Sequence, residues 1–329
     1  MIDLRSDTVT QPNASMRQAM MSANVGDDVY EEDPSVNELE SFSANLLSKQ
    51  AALYLPSGTQ SNLAALMTHC QRGDEYIVGQ EAHTYRYEGG GAAVLASIQP
   101  QPINFEQDGS LAIEAIRSVI KPDDNHFARS TLVCLENTQA GKALSLQYIE
   151  SVRNVCNEHN LKLHLDGARF FNACIDQSIE PKKLAGPFDS ISICLSKGLG
   201  APIGSILLGD EKFIGEARRW RKVLGGGMRQ AGFLAAAGLY ALKHNISRLD
   251  EDHKNASTIH KKLIERFGEH SATQATNMIH LNFEQQDYSE FKSYLISRKV
   301  NATNQRWVFH MDINHSQIEE LIDIIQQFK

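Results

Sequence analysis

Short apolar runs alternate with helical patterns through the middle of the chain. Each run is five or six residues long and rich in Leu, Ile, Val and Ala. This alternation predicts βα units, and therefore a mainly parallel sheet with helices on both faces. The strands predicted in this way are 51–55, 131–135, 161–165, 190–195 and 204–208, and the predicted helices include 62–70 and 147–159.

The pattern changes near residue 248. Apolar residues recur at helical spacing over 249–267, a strand-like run covers 278–283, and the chain ends in an amphipathic helix. This predicts a large α/β domain over 1–248, whose N-terminal segment contributes to the active site, and a small α+β domain over 249–329.

Two predicted helix starts carry the spacing of a capping box, in which a Ser side chain caps the helix three residues before a Glu. The pairs are Ser35 with Glu38, and Ser316 with Glu319. We therefore expect Ser35 and Ser316 to be N-cap residues.

Composition and charge exclude several classes of protein. The 329 residues are 42% hydrophobic, which is enough to bury a sizeable core and excludes disorder as the dominant state. The 32 basic and 40 acidic residues give a formal net charge of −8, which argues against a large nucleic-acid footprint. The basic run 218–222 is accordingly interpreted as a solvated helix face with one member turned toward an anion.

The sequence also indicates the environment of the protein. No apolar run reaches a membrane-spanning length, and the N-terminus lacks the apolar core of a signal peptide. The five cysteines are far apart and form no C-x-x-C pair, so we expect buried thiols and no disulfide framework or zinc site. These features predict a cytoplasmic protein with no membrane or nucleic-acid partner and no metal.

A Ser/Thr/Gly turn follows the first predicted strand. Because the backbone N–H groups at a helix N-terminus favour anions, Gly58 and Thr59 are candidates for a phosphate site. The alternative is an ordinary helix cap, since Ser and Thr are common there. The turn is neither a Walker A loop nor a dinucleotide fingerprint.

Charged residues follow two later strands. Asp166 and Arg169 come after the strand at 161–165, where they either pair with each other or serve a ligand. Lys197 follows the strand at 190–195 and precedes a glycine-rich turn. A desolvated lysine there is able to form a Schiff base, and the alternative is an exposed surface lysine.

An anion site, an Asp/Arg pair and a lone lysine at successive strand ends fit pyridoxal 5'-phosphate (PLP). This cofactor needs a phosphate site, an acid opposite its pyridine nitrogen and a Schiff-base lysine. Asp166 keeps the ring protonated in this interpretation, and His83 is the candidate for stacking on the ring.

At this point the sequence resembles the low-specificity L-threonine aldolases, which are PLP enzymes of the aspartate-aminotransferase-like fold type I. The resemblance covers nearly the whole chain. The motifs that carry it are Asp3–Thr10, Gly26–Tyr30, Pro56–Gln60, Asp166–Arg169, Leu195–Gly200 and Gly225–Gln230. Ser57 and Tyr87 stand where Thr and Phe are expected, and the segment after Arg306 is bulky. These departures bear on side-chain specificity and leave the reaction type unchanged.

The resemblance implies roles around the cofactor. Lys197 would be the Schiff-base lysine, Asp166 would pair with the pyridine nitrogen, and Arg169 would lie near the phenolic oxygen. His83 would stack on the ring. Gly58, Thr59 and the Ser196 hydroxyl would surround the phosphate, with help from Arg229.

The resemblance also implies roles around the substrate. Ser6, Arg169 and Arg306 would hold its carboxylate, an interaction that suits the planar arginine fork. His83 and His126 would lie near its β-hydroxyl, and the base that removes the hydroxyl proton is His83, His126 or an ordered water.

The implied reaction is retro-aldol cleavage of L-threonine, L-allo-threonine and related β-hydroxy-α-amino acids to glycine and an aldehyde. Family members are usually homotetramers, dimers of dimers whose active sites form between subunits, so Tyr30 or Arg229 would act across an interface. Two alternatives stay open. One is a related fold-type-I activity, either β-elimination or aldol cleavage of a different substrate. The other is a scaffold protein without cofactor, which would not need Lys197, Asp166 and Arg169 together.

Overall fold

The structure is a computed structural model that describes residues 1–328. Its strands are β1 Ile2–Asp3, β2 Ala51–Leu55, β3 Glu75–Gly79, β4 Gln99–Ile103, β5 Ser130–Glu136, β6 Lys162–Gly167, β7 Ser190–Cys194, β8 Ser205–Gly209, β9 Ala272–Ala275, β10 Met278–Leu281, β11 Val300–Asn301 and β12 Arg306–Val308. Its α-helices are α1 Ala14–Met21, α2 Pro34–Leu47, α3 Gly58–His69, α4 His83–Arg86, α5 Gly91–Val94, α6 Ile113–Val119, α7 Leu146–Glu158, α8 Phe170–Asp176, α9 Pro181–Ala185, α10 Glu211–Val223, α11 Gly232–His244, α12 Leu249–Phe267, α13 Gln285–Ser297 and α14 His315–Gln327.

A seven-stranded sheet in the order β2-β8-β7-β6-β5-β3-β4 forms the centre. Its strands are parallel except for β8, which is antiparallel to both of its neighbours. Side chains alternate between the faces of β6. Leu163 and Leu165 join the core that α7 covers, whereas His164 and Asp166 hydrogen-bond to Asn62 of α3. This confirms the predicted α/β fold with a mainly parallel, mixed sheet and helices on both faces.

A second hydrophobic cluster involves both ends of the chain. The three-stranded antiparallel sheet β12-β10-β9 packs with α12, α13 and α14. Strand β1 pairs in parallel with β11, and Ile2 and Leu4 are buried in this cluster. The first residues are therefore anchored on the C-terminal part before the chain crosses to the central sheet. The domain division at residue 248 stays a prediction.

Two strands of the central sheet lie outside the predicted set. Strand β3 contains Glu75 and Tyr76 and has only two aliphatic residues, Ile77 and Val78. Strand β4 alternates Gln and Pro, and it lies at the edge of the sheet, where the missing proline N–H is tolerated.

Both predicted capping boxes are wrong by two residues. Asp33 caps α2, because its carboxylate accepts the backbone N–H groups of Ser35 and Val36 and is followed directly by Pro34 in the first turn. Asn314 caps α14 and forms a capping box with Gln317. In each case another capping residue, about as favourable as Ser, stands two positions earlier and starts the helix there.

Other sequence interpretations can be checked directly. Within residues 1–328 all five cysteines are free and buried, as predicted. In the basic run, Arg219 is exposed and Arg221 is buried against Asp28, with the Arg221 Nη2 and Asp28 Oδ2 atoms 2.9 Å apart. None of the helices in the described part of the chain is both long and apolar enough to cross a membrane.

Candidate active site

The carboxyl ends of β5, β6 and β7 meet the start of α3, which is where open parallel sheets bind ligands. Glu136 ends β5 and lies opposite Asp166 in the register of the sheet. Lys197 follows β7 by three residues. The positive charge of Lys197 acts on the pKa of both Glu136 and His83, so these three groups lie within electrostatic range of one another at this edge of the sheet.

Asp166 is buried and fixed by two donors. Asn62 Nδ2 donates to Asp166 Oδ2 at 2.9 Å, and the Ala168 backbone N–H donates to Oδ1 at 3.1 Å. Asn62 Nδ2 also donates to Glu88 Oε1 at 2.9 Å. One amide therefore connects two carboxyl groups, and the remaining lone pairs of Asp166 are free for a ligand.

His83 is held from two directions. Its Nδ1 lies 2.9 Å from Glu88 Oε1, and its backbone N–H donates to Glu136 Oε2 at 2.9 Å. The hydrogen bond to Glu88 raises the pKa of His83 above its ordinary value, against the effect of burial. Its side chain is 41% exposed, so the ring is accessible to a ligand.

Burial and mutual repulsion raise the pKa values of two carboxyl groups beside Asp166. Burial, followed by the charge of Asp166, raises the pKa of Glu136 to about 7. The same two causes raise the pKa of Glu88. Together with His83, whose pKa is also raised, these two carboxyl groups form a cluster with perturbed pKa values, which is typical of an active site.

His83, Glu88 and Asp166 each place a ligand atom within 4.8 Å of the other two, a spacing that would suit a cation. Hydrogen bonds within the site already use part of the capacity of these groups to bind a cation, since Glu88 accepts from both His83 and Asn62. The open positions are those of Asp166 and of His83 Nε2.

Lys197 is fixed through its backbone. Its carbonyl accepts from Thr10 Oγ1 at 2.9 Å and from the Gly200 N–H at 2.8 Å. The turn needs its glycines. A Cβ on Gly198 would lie 2.9 Å from Leu249, and Gly200 has a φ of +78°. The partly buried Lys197 ammonium donates no hydrogen bond to any residue of the range 1–328.

The start of α3 offers an anion site. Ser57 is the N-cap and accepts the Gln60 N–H at 3.1 Å, so the N–H groups of Gly58 and Thr59 stay unpaired among the described residues. The buried Ser205 hydroxyl, 3.5 Å from the Cβ position of Gly58, has no partner there either. Such a cradle fits a phosphate. Ser196 Oγ lies 3.4 Å from Cys194 Sγ.

Two guanidinium groups differ in their partners. Arg169 forms a bidentate pair with buried Asp7, at 2.8 and 2.6 Å, so the sequence alternative of an Asp166–Arg169 pair is wrong. Burial would raise the pKa of Asp7, but the Arg169 charge and hydrogen bonds outweigh it and the pKa is lowered.

Arg306 has no such partner. Its Nε is buried without a hydrogen bond, and no carboxylate of residues 1–328 pairs with it. Burial, together with the charge of Arg169, lowers its pKa. An unpaired, half-buried guanidinium beside a second one needs an anion. Ser6, next to Asp7, uses its Oγ to accept from Thr8.

Three residues named from the sequence lie outside this hydrogen-bonded cluster. His126 is 81% exposed, and its Nδ1 contacts Asp124 at 2.6 Å. Arg229 is exposed and donates to Asp27 at 2.9 Å. Tyr30 is 70% exposed. In residues 1–328 none of the three hydrogen-bonds to Asp166, His83 or Lys197.

Several polar residues of the site were given no role from the sequence, namely Asp7, Asn62, Glu88, Glu136 and Ser205. Glu136 follows a predicted strand, so the strand-end rule that found Asp166 would have found it. Asp7 stands inside a motif that was singled out for its resemblance. Asn62 and Glu88 carry no local signal, because their partners lie far away in the chain.

The fold has solved counterparts. A threonine aldolase from Leishmania major superposes with a TM-score of 0.85 at 20% identity, covering 99% of both chains. Serine palmitoyltransferase from S. paucimobilis, solved with bound PLP–myriocin, superposes with a TM-score of 0.76 at 15% identity, covering 99% of this chain and 86% of that one. Fold and site together define a protein of the aspartate-aminotransferase-like fold type I.

Sequence comparison narrows this class. The Beta-eliminating lyase family model matches residues 3–286. A low specificity L-threonine aldolase from Escherichia coli K12 is 51% identical over 98% of this chain and 97% of its own length. Low-specificity L-threonine aldolase 1 from Arabidopsis thaliana is 41% identical over 99% and 96%. The chain belongs to the Beta-eliminating lyase family and, within it, to the low-specificity L-threonine aldolases, which confirms the resemblance.

Proposed function

We propose that this protein is a PLP-dependent lyase that cleaves L-threonine, L-allo-threonine and related β-hydroxy-α-amino acids to glycine and an aldehyde. The observation that carries the proposal is an unpartnered Lys197 and a buried Asp166 at the ends of neighbouring strands, together with an unpartnered Arg306 near Arg169. These groups match an amine-reactive cofactor with a basic ring nitrogen and a substrate with a carboxylate.

The residues present fit PLP. Lys197 would hold its aldehyde carbon, Asp166 its ring nitrogen, and the N–H groups of Gly58 and Thr59 its phosphate, together with the hydroxyl of Ser205 or Ser196. When bound, the cofactor supplies an electron sink for the negative charge that develops at the substrate Cα. The bidentate pair with Asp7 fixes the guanidinium of Arg169, which would lie near the phenolic oxygen of the cofactor.

The substrate carboxylate would bind to Arg306 and to the remaining N–H groups of Arg169, with Ser6 nearby. This clamp would fix the orientation of the amino acid in the site, and with it the direction of the Cα–Cβ bond that is cleaved. Because Asp7 already neutralises Arg169, the net positive charge that attracts the carboxylate comes from Arg306.

Proton transfer from the β-hydroxyl would use His83, His126 or a water. His83 Nδ1 is engaged with Glu88, which leaves Nε2 available. Neutral His83 then has Nδ1–H donating to Glu88 and an Nε2 lone pair that is able to accept the proton. His126 would have to reach the site from its exposed loop.

We also propose a homotetramer with active sites at subunit interfaces. The loop carrying Tyr30 and the loop carrying Arg229 are joined by the Arg229–Asp27 pair and by the Asp28 N–H donating to the Arg229 carbonyl. Exposed Val223 and Phe233 adjoin the second loop. Such a surface suits a second copy whose site Tyr30 or Arg229 would complete. Cytoplasmic location stays a prediction, and it is compatible with the five buried thiols.

An assay of the purified protein with PLP tests the proposed reaction. With L-threonine and L-allo-threonine we expect equimolar glycine and acetaldehyde. Pyruvate and ammonia from serine or cysteine would instead identify a β-eliminating activity. A protein that has no visible absorbance with PLP and releases no product would be a scaffold, and the proposal would be wrong.

A further inference from the structure

A chain of buried polar groups runs beneath the site along the face of β6 that α3 covers. His69, at the end of α3, lies with Nε2 at 2.6 Å from Ser190 Oγ, and Ser190 Oγ lies 2.7 Å from His164 Nδ1. His164 Nε2 lies 3.3 Å from Asn62 Oδ1, and Asn62 donates to Asp166. His164 and Ser190 are fully buried.

The direction of every hydrogen bond in this chain follows from Asn62. Both hydrogens of its amide point at carboxyl oxygens, those of Asp166 and Glu88, so its own oxygen has to accept. His164 Nε2 therefore carries the hydrogen. His164 Nδ1 is then an acceptor, provided that the ring is neutral.

Both imidazoles are neutral at physiological pH. Burial lowers the pKa of His164 to about 3 and that of His69 to about 4. Ser190 must consequently donate its hydroxyl hydrogen to His164 Nδ1 and accept from His69 Nε2–H. All four bonds then donate toward Asp166, and bonds aligned in this way polarise one another.

We infer that the chain His69–Ser190–His164–Asn62 fixes the carboxyl group of Asp166 in the orientation in which it would face the ring nitrogen of the cofactor. Asn62, His164 and Ser190 are then positioning residues, and the inference rests on the proposed function. A carboxyl group held in that orientation accepts a hydrogen bond from the ring nitrogen, which favours the protonated form of the ring.

Two substitutions of similar size separate this role from mere packing. In His164→Gln the amide nitrogen takes the place of Nε2 and still donates to Asn62. In His164→Asn the shorter amide reaches only the position of Nδ1, so the donor to Asn62 is lost. Both variants remove the ring. His164→Gln loses the acceptor for Ser190 but keeps the donor to Asn62, whereas His164→Asn loses the donor to Asn62, which is the bond closer to Asp166.

The measurement is made on the protein loaded with PLP labelled with ¹⁵N at the ring nitrogen. We expect a pyridinium signal in the wild type. His164→Gln loses only the Ser190 bond, so we expect a small shift of that signal and a dissociation constant for PLP raised about threefold. In His164→Asn we expect a larger shift toward the neutral pyridine signal and a dissociation constant raised about tenfold, as for the loss of one buried hydrogen bond next to Asp166.

The inference is overturned if His164→Asn keeps the pyridinium signal, or if both variants change equally, even where thermal unfolding shows that both are destabilised. A wild type that binds no PLP would instead refute the proposed function itself. Should His164→Asn not fold, Ser190→Ala interrupts the same chain. We expect it to shift the signal in the same direction with a dissociation constant raised about threefold, and an unchanged signal contradicts the inference.

Discussion

The carboxylate side of the site and its cationic side differ in how their polar groups are satisfied. Asp166, Glu88 and His83 are linked to one another through Asn62 and to the α3 face of the sheet. Lys197 and Arg306 have no acidic partner in the part of the chain that the structure describes. The first side is therefore positioned by the protein alone, and the second is completed only by a ligand.

From this difference we predict which substitutions change catalysis or ligand affinity alone and which also change the stability of the folded protein. Removing an unpartnered cation takes away a contact to ligand and leaves no internal group unpaired. Removing a member of the linked carboxylate side also changes the energy of its neighbours. Experiments are able to separate the two sides by comparing activity, ligand affinity and stability in the same variants.

The largest effect is expected at Lys197. Lys197→Ala should reduce acetaldehyde release from threonine at least about 1,000-fold, because no other amine lies in the site to take its role. Its free energy of unfolding should change little, since the ammonium has no internal partner. Lys254→Ala, at an exposed lysine of α12, is the matched control. Normal turnover in Lys197→Ala would refute the lysine role.

Arg306 is the second unpartnered cation. Arg306→Ala should raise the KM for threonine about 30-fold, corresponding to about 2 kcal/mol for a lost charged hydrogen bond. Arg306→Lys should restore only part of this, because a lysine lacks the planar fork. Wild-type kinetics in Arg306→Ala would remove Arg306 from the carboxylate clamp.

His126 is exposed and belongs to neither the carboxylate side nor the cationic side of the site. Its substitution tests whether such a residue takes part in proton transfer. His126→Ala should slow cleavage about tenfold with the amount of bound PLP unchanged, as expected for loss of a proton-transfer group. The measurement is kcat alongside the absorbance of bound cofactor. Unaltered rates would assign the base to His83 or to water.

The smallest effect is expected on the carboxylate side, at Glu136. Its pKa is raised to about 7 in the folded protein, so the folded state binds more protons than the unfolded one between about pH 4.5 and 7. The wild type should therefore lose stability as the pH rises through this window. Glu136→Gln cannot ionise and should escape that loss.

Urea unfolding of the cofactor-free protein measures this difference. Relative to wild type, Glu136→Gln should be more stable at pH 8 than at pH 5 by on the order of 1 kcal/mol. Glu290→Gln, at an exposed position, should show no such dependence. An equal difference at both pH values would contradict the raised pKa of Glu136.

Patterning predicted those parts of the fold in which local sequence and burial agree. Helix α12 begins and ends at the predicted residues, and most core strands lie within one or two residues of their predicted bounds. Strand β4 was not predicted because its Gln/Pro sequence depends on pairing with β3. The caps at Asp33 and Asn314 were misplaced because the spacing of Ser and Glu ignores competing capping residues.

The residues of the site also fall into two groups, those that the sequence pattern predicted and those that it did not. Asp166 and Lys197 were found because polar residues after apolar strands are conspicuous in a sequence. Asn62 and its partners were not, because the Asn62–Glu88 and Asn62–Asp166 bonds span 26 and 104 residues. Contacts of that kind follow from tertiary packing, which single-sequence patterns do not encode.

The central claim is that PLP is attached to Lys197. Reduction of the purified, PLP-loaded protein with borohydride, followed by proteolysis and mass spectrometry, locates the modified lysine directly. The account predicts a pyridoxyl group on the peptide containing Lys197, and its absence when glycine is added in excess before reduction. A pyridoxyl group on a different lysine, or none on any peptide, would contradict it.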